Sequence, residues 1–311
     1  MSSIKNYLSL VKFSHTIFAM PFALIGFFLG IFSTRQWSLN NTIGWGSDIT
    51  NFTVTQRVVK FILVIFCMIT ARSAAMAFNR YLDKNFDAKN PRTAIREIPA
   101  GIISANSALV FVIINCMAFV ICTGFINKLC FFLSPVALFV ILFYSYTKRF
   151  TPLCHLVLGL GLSLAPIGAY LAVTGHFNIL PVLFSFAVLF WVSGFDIIYA
   201  LQDVDFDLSQ NLYSIPSVLG KQKALRVSEL LHVLSAGLVI AAGFLASFGW
   251  LYWLGIVVFC GMLIYQHAIV KPNDLRRVNL AFMTANGVAS VVFAVFVIAD
   301  LFVAYSRPFH D

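Results

Sequence analysis

Residues 150–195 read FTPLCHLVLGLGLSLAPIGAYLAVTGHFNILPVLFSFAVLFWVSGF, and none of them is Asp, Glu, Lys or Arg. A helix needs about 20 apolar residues to cross the hydrocarbon core of a bilayer. This run is too long for one crossing and the right length for two, with a turn at Thr174-Gly175-His176. Other uncharged runs lie on either side: 98–127, 129–147, 230–270 and 278–299. The run 230–270 also divides, at Ser247-Phe248-Gly249. Of the 311 residues 60% are hydrophobic and only 11% charged, against about 25% charged in a soluble domain. The chain therefore reads as an all-α integral membrane protein and a single domain over 1–311. Nine spans are expected, at 14–34, 58–80, 103–125, 129–147, 153–174, 178–201, 224–246, 250–270 and 278–303. Lys60 and Arg72 interrupt the second. The N-terminal stretch imitates a signal peptide, but its apolar part is longer than the usual 7–15 residues and lacks an A-x-A-like cleavage site. A retained first span is expected.

The formal charge of +9 invites a nucleic-acid reading. The distribution of the bases argues against it, because Lys and Arg gather in cytoplasmic loops of membrane proteins. With the N-terminus inside, fifteen of the 21 Lys and Arg fall on the cytoplasmic side, five (Arg35, Arg57, Lys60, Lys128 and Arg307) fall outside, and Arg72 lies within a span. No nucleic-acid partner and no obligatory protein partner are expected. The six cysteines sit in apolar segments without C-x-x-C spacing and read as small buried side chains. The six histidines are scattered; His15 and His232 are the better candidates for polar contacts in a cavity.

The acids are more informative. Residues 79–101, NRYLDKNFDAKNPRTAIREIPAG, follow span two, and residues 196–207, DIIYALQDVDFD, end span six. Asp83, Asp87, Glu97, Asp203, Asp205 and Asp207 are half of the twelve acids in the chain. Four spans separate the two stretches, so both face the same side. Asn79, Asp83 and Asp87 fall at i, i+4, i+8 and share a face if the helix continues. Asp196, Tyr199, Asp203 and Asp207 form a similar stripe. Carboxylates about 6 Å apart repel by roughly 3 kcal/mol at an effective dielectric near 20, so such stripes call for positive charge between them. Mg²⁺ suits oxygen ligands and is commonly held by one or two carboxylates plus substrate phosphates. Lys89, Arg92, Arg96, Lys148 and Arg149 could hold a polyanion alongside. A blander reading has the acids capping helices and pairing with Lys84, Lys89, Arg92 and Arg96. Two matching patches on one side favour a lipid diphosphate with Mg²⁺ at the membrane surface.

The first stretch resembles the N-x-x-x-D-x-x-x-D signature of the UbiA-type aromatic prenyltransferases, and YALQDVDFD resembles the second, Y-A-x-x-D-x-x-x-D. FSHTIFAMPFALIG, YSYTKR and SIPSVLG also look like that family. The resemblance implies nine helices around a lipid-accessible central cavity. It implies two Mg²⁺ ions bridging the diphosphate of a polyprenyl donor, one on Asn79, Asp83 and Asp87, the other on Asp203 and Asp207. Lys148 and Arg149 match positions near the diphosphate, Tyr144 lies one turn before Lys148, and Arg72 matches a basic position near the aromatic acceptor. The implied reaction joins the isoprenoid to a ring carbon of a hydroxylated aromatic acid in respiratory quinone biosynthesis, at the bacterial inner membrane with the site facing the cytoplasm. Asp196 is a candidate base for the ring proton. AMAFNRYLD, NPRTAIREIPAG and GFDIIYALQD look closer to the menaquinone-linked branch, so 4-hydroxybenzoate and 1,4-dihydroxy-6-naphthoate both stay open as acceptors. Arg80 departs from the Asp often found there in the ubiquinone branch. A secondary transporter is the rival class, but transporters usually place ionisable groups near the midplane. A transferase acting on haem or a chlorophyll precursor is the other.

Overall fold

The computed structural model describes residues 2–12, 18–36 and 52–306. The start of the first expected span, most of the 35–57 connection, His15 and Arg307 lie outside the described residues. The helices are α1 (Ser2–Leu10), α2 (Met20–Gln36), α3 (Val54–Leu82), α4 (Lys84–Lys89), α5 (Ala105–Ile126), α6 (Lys128–Thr147), α7 (Cys154–Thr174), α8 (Ile179–Ala200), α9 (Val204–Ser209), α10 (Ile215–Leu219), α11 (Lys221–Leu245), α12 (Trp250–Ile269) and α13 (Asn286–Ser306). A 3₁₀ turn, Leu201–Asp203, joins α8 to α9, and a π-helical turn, Leu280–Ala285, leads into α13. Eight of the described helices are long and apolar enough to span a membrane; α2 supplies a shorter apolar helix in the ninth position. This is an integral membrane protein.

The membrane helices close a ring. Each packs on the next from α3 through α5, α6, α7, α8, α11, α12 and α13, and α13 returns to α2, which touches α3. Helices α2 and α7 also pack closely across the ring. Gly26 allows that approach, since a Cβ there would collide with the Pro166 backbone. Phe22, Trp191, Phe259 and Phe293 meet edge-on or tilted beside this contact and are fully buried. Phe125, Phe132, Phe139, Phe244 and Ile264 project outward, as a lipid-facing surface requires.

Helix ends fall where the chain offers caps. Thr53 and Gln56 form a reciprocal capping box at the start of α3, satisfying donors that a helix N-terminus leaves open. Asn127 ends α5, caps α6 through Cys130 N and donates to Leu171 O. The expected turn at 174–176 is present: Gly175 takes φ 71°, the left-handed region where a Cβ is unfavourable. Lys60 does not shorten α3. Its ammonium donates to the carbonyls of Ile126 (3.2 Å) and Ala172 (2.7 Å), near the ends of two helices where carbonyls lack partners.

The last span differs from expectation by its π-helical start. Asn286 is fully buried there and donates to the carbonyls of Ala281 and Phe282 (both 3.1 Å). Its Oδ1 accepts from Trp191 Nε1 and Gln266 Nε2, both at 2.9 Å. A polar hub joining α8, α12 and α13 thus occupies the carbonyls that the wider turn releases.

Candidate active site

Both acidic stretches come together at one end of the ring. Helix α3 stops at Leu82, and Asp83 (φ −89°, ψ 6°) is the hinge to α4. The i→i−4 pattern survives the hinge: Asp83 N donates to Asn79 O (2.9 Å) and Asp87 N to Asp83 O (2.7 Å). The expected continuous helix is therefore broken, yet its register carries through. The second stretch breaks likewise, at Leu201–Asp203. Two bent helix ends thus bring Asp83, Asp87 and Asp203 to one cavity.

Between them lies a cavity of about 290 Å³. Its polar end is lined by Asn79, Asp83, Asp87, Arg92, Arg96, Lys148, Arg149, Tyr199 and Asp203, and farther along by Arg72, Tyr144 and Asp196. Phe18, Leu158, Leu162, Val192, Phe195 and Phe282 give it an apolar wall. Twelve of the fourteen residues singled out from sequence line this one cavity. Lys89 and Asp207 do not. Lys89 reaches Gln210 Oε1 at 3.3 Å. Asp207 is fully buried behind the wall, where Lys148 Nζ (2.7 Å) and Ser214 Oγ (2.9 Å) hold its two oxygens.

Each remaining acid faces a base. Arg92 grips Asp203 through Nε (3.1 Å) and Nη2 (2.7 and 2.6 Å), and its Nη1 donates to Tyr199 OH at 3.0 Å. Arg96 meets Asp87 at 2.6 Å, and Arg149 meets Asp83 at 2.9 Å. Asn79 Nδ2 also donates to Asp83 Oδ2 (3.1 Å). Asn79, Asp83, Asp87 and Asp203 border one space, while Asp207 lies off it. Among the described residues no three carboxylate, thiol or imidazole groups gather to hold a metal by themselves; guanidinium and ammonium groups lie between the acids instead. The pairing of Arg92 and Arg96 follows the blander reading. Lys84, which that reading also paired, lies over the Tyr81 ring.

The electrostatics are not fully neutralised. Burial pushes the Asp83 carboxyl up to about 6; Arg149 opposes the shift and Asp87 adds to it. Asp87 is only 6% exposed, and its Oδ2 is buried without a hydrogen-bond partner. On the cationic side, Arg72 Nε is buried and unpartnered, as are Nε and Nη1 of Arg80, which is 4% exposed and lines the same cavity. Asp196 meets His155 Nδ1 at 2.7 Å.

A helical ring around a cavity that brings both acidic stretches together is the architecture implied by the resemblance, and the family comparison agrees. The UbiA prenyltransferase family model matches residues 19–288. The chain belongs to the UbiA prenyltransferase family. It is 30% identical over 223 residues to the 4-hydroxybenzoate octaprenyltransferase of Tolumonas auensis, covering 72% of this chain and 78% of that one. It is 32% identical over 244 residues to the enzyme of the same name from Nitrosomonas europaea, covering 78% and 83%. Among solved structures, an apo UbiA homolog from Aeropyrum pernix K1 superposes with a TM-score of 0.74 at 28% identity, over 94% of this chain and 98% of that one. A UbiA homolog from Archaeoglobus fulgidus bound to DMAPP and Mg²⁺ shares the fold, with a TM-score of 0.70 at 17% identity over 96% and 99%. This UbiA-family chain is thus a prenyltransferase.

Arg80 and His155 are among the residues of the prenyltransferase cavity that were not assigned from sequence. Arg80 was noted only as a departure from one branch. His155 was passed over for His15 and His232, yet His155 lines the cavity. His232 is buried elsewhere, against His267 Nε2 (2.8 Å) and the Trp191 carbonyl (3.3 Å). Asp205 is exposed, as a solvated acid should be, and Glu97 accepts from Ser9 Oγ.

Proposed function

We propose that this enzyme transfers a polyprenyl chain from an allylic diphosphate to a ring carbon of a hydroxylated aromatic acid, with 4-hydroxybenzoate as the first candidate acceptor. The observation that carries the proposal is the coexistence, in one cavity, of a carboxylate-rich mouth and an arginine, Arg72, whose Nε is buried without a hydrogen-bond partner. The mouth suits a metal-bound diphosphate. Arg72 suits a carboxylate at the acceptor end. The relatives named for 4-hydroxybenzoate support the choice of acceptor, and 1,4-dihydroxy-6-naphthoate presents the same carboxylate and phenolic hydroxyl.

The donor set fits Mg²⁺. Asp87 Oδ2 is a buried carboxylate oxygen without a partner, and Asp83 and Asp203 border the same space. Magnesium typically uses one or two protein carboxylates and completes its shell with phosphate and water, so a preformed three-residue cage is not required. Asn79, Asp83, Asp87 and Asp203 are the residues that would hold it, with Asp207 reached only by displacing Lys148. Two ions are proposed, one for each stretch. When bound, the metal would neutralise charge developing on the departing diphosphate.

The chain's own groups do the rest. Arg92, Arg96, Lys148 and Arg149 exchange carboxylate partners for phosphate oxygens, which a guanidinium can meet with two parallel bonds. As the C–O bond of the donor breaks, these preorganised donors stabilise the charge on the diphosphate. Tyr144 lies between mouth and acceptor and presents a ring to the allylic cation. Arg72 fixes the acceptor so that a carbon ortho to its hydroxyl meets the cation, and Asp196 receives the ring proton. The 1–311 chain acts as one domain in this reading. The N-terminus and the mouth face the cytoplasm at the bacterial inner membrane, consistent with the excess of Lys and Arg on that side. Lipid and the two substrates are the partners required.

The test is substitution of one acid in each stretch. Asp83→Ala and Asp203→Ala should abolish transfer while the protein remains folded. Near-normal turnover of both at saturating Mg²⁺ would refute the two-ion site.

A further inference from the structure

We propose that His155 is a positioning residue for the ring-proton acceptor Asp196, holding one carboxylate oxygen so that the other faces the acceptor. The inference rests on the prenyl-transfer reading above and adds to it the residue that orients the base. His155 is the second residue of α7, and Asp196 sits near the end of α8, so neighbouring helices present the two side chains to each other. Nδ1 of His155 lies 2.7 Å from Asp196 Oδ2. The other ring nitrogen resolves the tautomer. The backbone N–H of Ile215 points at Nε2 at 3.4 Å, and a backbone N–H can only donate. Nε2 faces a donor, which leaves the Nδ1 proton as the one aimed at the carboxylate.

Exposure fits the assigned roles. Both residues line the cavity, but the His155 side chain is 3% exposed and that of Asp196 is 23%. The imidazole stands behind and the carboxylate in front. Among the described residues no hydrogen bond engages Asp196 Oδ1. The imidazole is itself fixed: the His155 carbonyl accepts from Ser193 Oγ at 3.1 Å, and Ile215 belongs to the capped start of α10, whose Ser214 binds Asp207. Such a support locks the geometry of the group that does the chemistry.

The electron and proton balance is simple. The donor C–O bond breaks and its electron pair leaves on the diphosphate. A ring π pair forms the new C–C bond. The C–H pair at that carbon then restores the aromatic ring, and the proton passes to Asp196 Oδ1. His155 keeps its own proton on Nδ1 throughout.

The test uses the full-length protein in detergent micelles with a polyprenyl diphosphate, Mg²⁺ and 4-hydroxybenzoate, protiated or deuterated at the ring carbons ortho to the hydroxyl. In the wild type, deprotonation should follow C–C bond formation rapidly, and deuteration should leave the rate unchanged. Positioned acid–base groups contribute roughly 10²- to 10⁴-fold. Asp196→Asn should lose that amount. His155→Leu should lose roughly 10- to 100-fold in kcat, keep both KM values within about twofold, and turn over more slowly with the deuterated acid. His155→Asn keeps an N–H near the place of Nδ1 and should recover most of the rate and lose the isotope effect. If His155→Leu does not fold, His155→Gln carries the same test, because its N–H lies beyond that place. An unchanged kcat, a loss without an isotope effect, or a loss confined to the acceptor KM would overturn the proposal. A wild type that prenylates no aromatic acid would instead overturn the functional reading beneath it.

Discussion

Replacing Arg72 separates the two ends of the cavity. Arg72 is eleven residues before Asp83, about 16 Å along the axis at 1.5 Å per residue, too far from the mouth to share a diphosphate held there. An arginine within a membrane span costs on the order of 2.5–3.5 kcal/mol on insertion scales, and this one has no ion-pair partner among the described residues. Its Nε is buried and unbonded, so removing it strands no protein acceptor, and the loss falls on the ligand alone. A hydrogen bond to a charged group contributes about 1.5–3 kcal/mol, which corresponds to roughly 10- to 150-fold in affinity. Arg72→Ala should therefore raise the acceptor KM by roughly that factor. Arg72→Lys should do much the same, because it keeps the charge but loses the planar fork. The donor KM should change little in either variant. Steady-state kinetics with each substrate varied in turn gives the answer. A rise in the donor KM with an unchanged acceptor KM would place Arg72 with the diphosphate and refute carboxylate recognition.

The remaining predictions concern the mouth. Asp83, with its carboxyl pushed up to about 6 by burial, should bind Mg²⁺ less well below that pH, approaching tenfold per unit for one proton; Mg²⁺ titrations from pH 5 to 8 would show it, and a flat profile would contradict it. The stability sign is the opposite: a folded-state value above the ordinary 3.8 favours the neutral form, so this contribution is fully present below about 3.8 and is lost as pH rises through about 6. Asp83→Asn should accordingly flatten the pH dependence of the melting temperature of the metal-free protein over that window. Arg80→Met should stabilise the unliganded fold, since two buried guanidinium nitrogens are unsatisfied and each such group costs about 1–3 kcal/mol. The same change should weaken inorganic diphosphate binding; a lowered melting temperature with unchanged diphosphate affinity would refute this.

The spans were legible because uncharged runs of membrane length admit few other readings, and Gly175 marked its turn because glycine takes a positive φ without the cost of a Cβ. The two acidic stretches were legible as a site because carboxylates are scarce here and both patches fall on one side. The partner of each acid was not legible. Arg92 meets Asp203 across 111 positions, and Lys148 draws Asp207 off the cavity wall with help from Ser214. His155 was hidden for the same reason, since its partner lies 41 residues away on another helix. The π-helical start of α13 depends on Trp191 and Gln266 converging on Asn286, which no local pattern around 280–286 reveals. Lys60 and Arg72 both interrupt the second expected span. One lies among helix-end carbonyls and the other in the cavity, a distinction that only the tertiary contacts make.

The central claim is that this cavity joins an allylic diphosphate to an aromatic acid. Purified protein should be incubated with a polyprenyl diphosphate and a panel of acceptors (4-hydroxybenzoate, 1,4-dihydroxy-6-naphthoate, and a phenol lacking the carboxylate), each with Mg²⁺ and with chelator. Products should be resolved by mass and by the site of ring substitution. Mg²⁺-dependent formation of a C-prenylated aromatic acid is expected, substituted ortho to the hydroxyl, with one diphosphate released per transfer and little product from the phenol. Equal turnover of the phenol, product formation in chelator, or no aromatic-acid product from any member of the panel would contradict it.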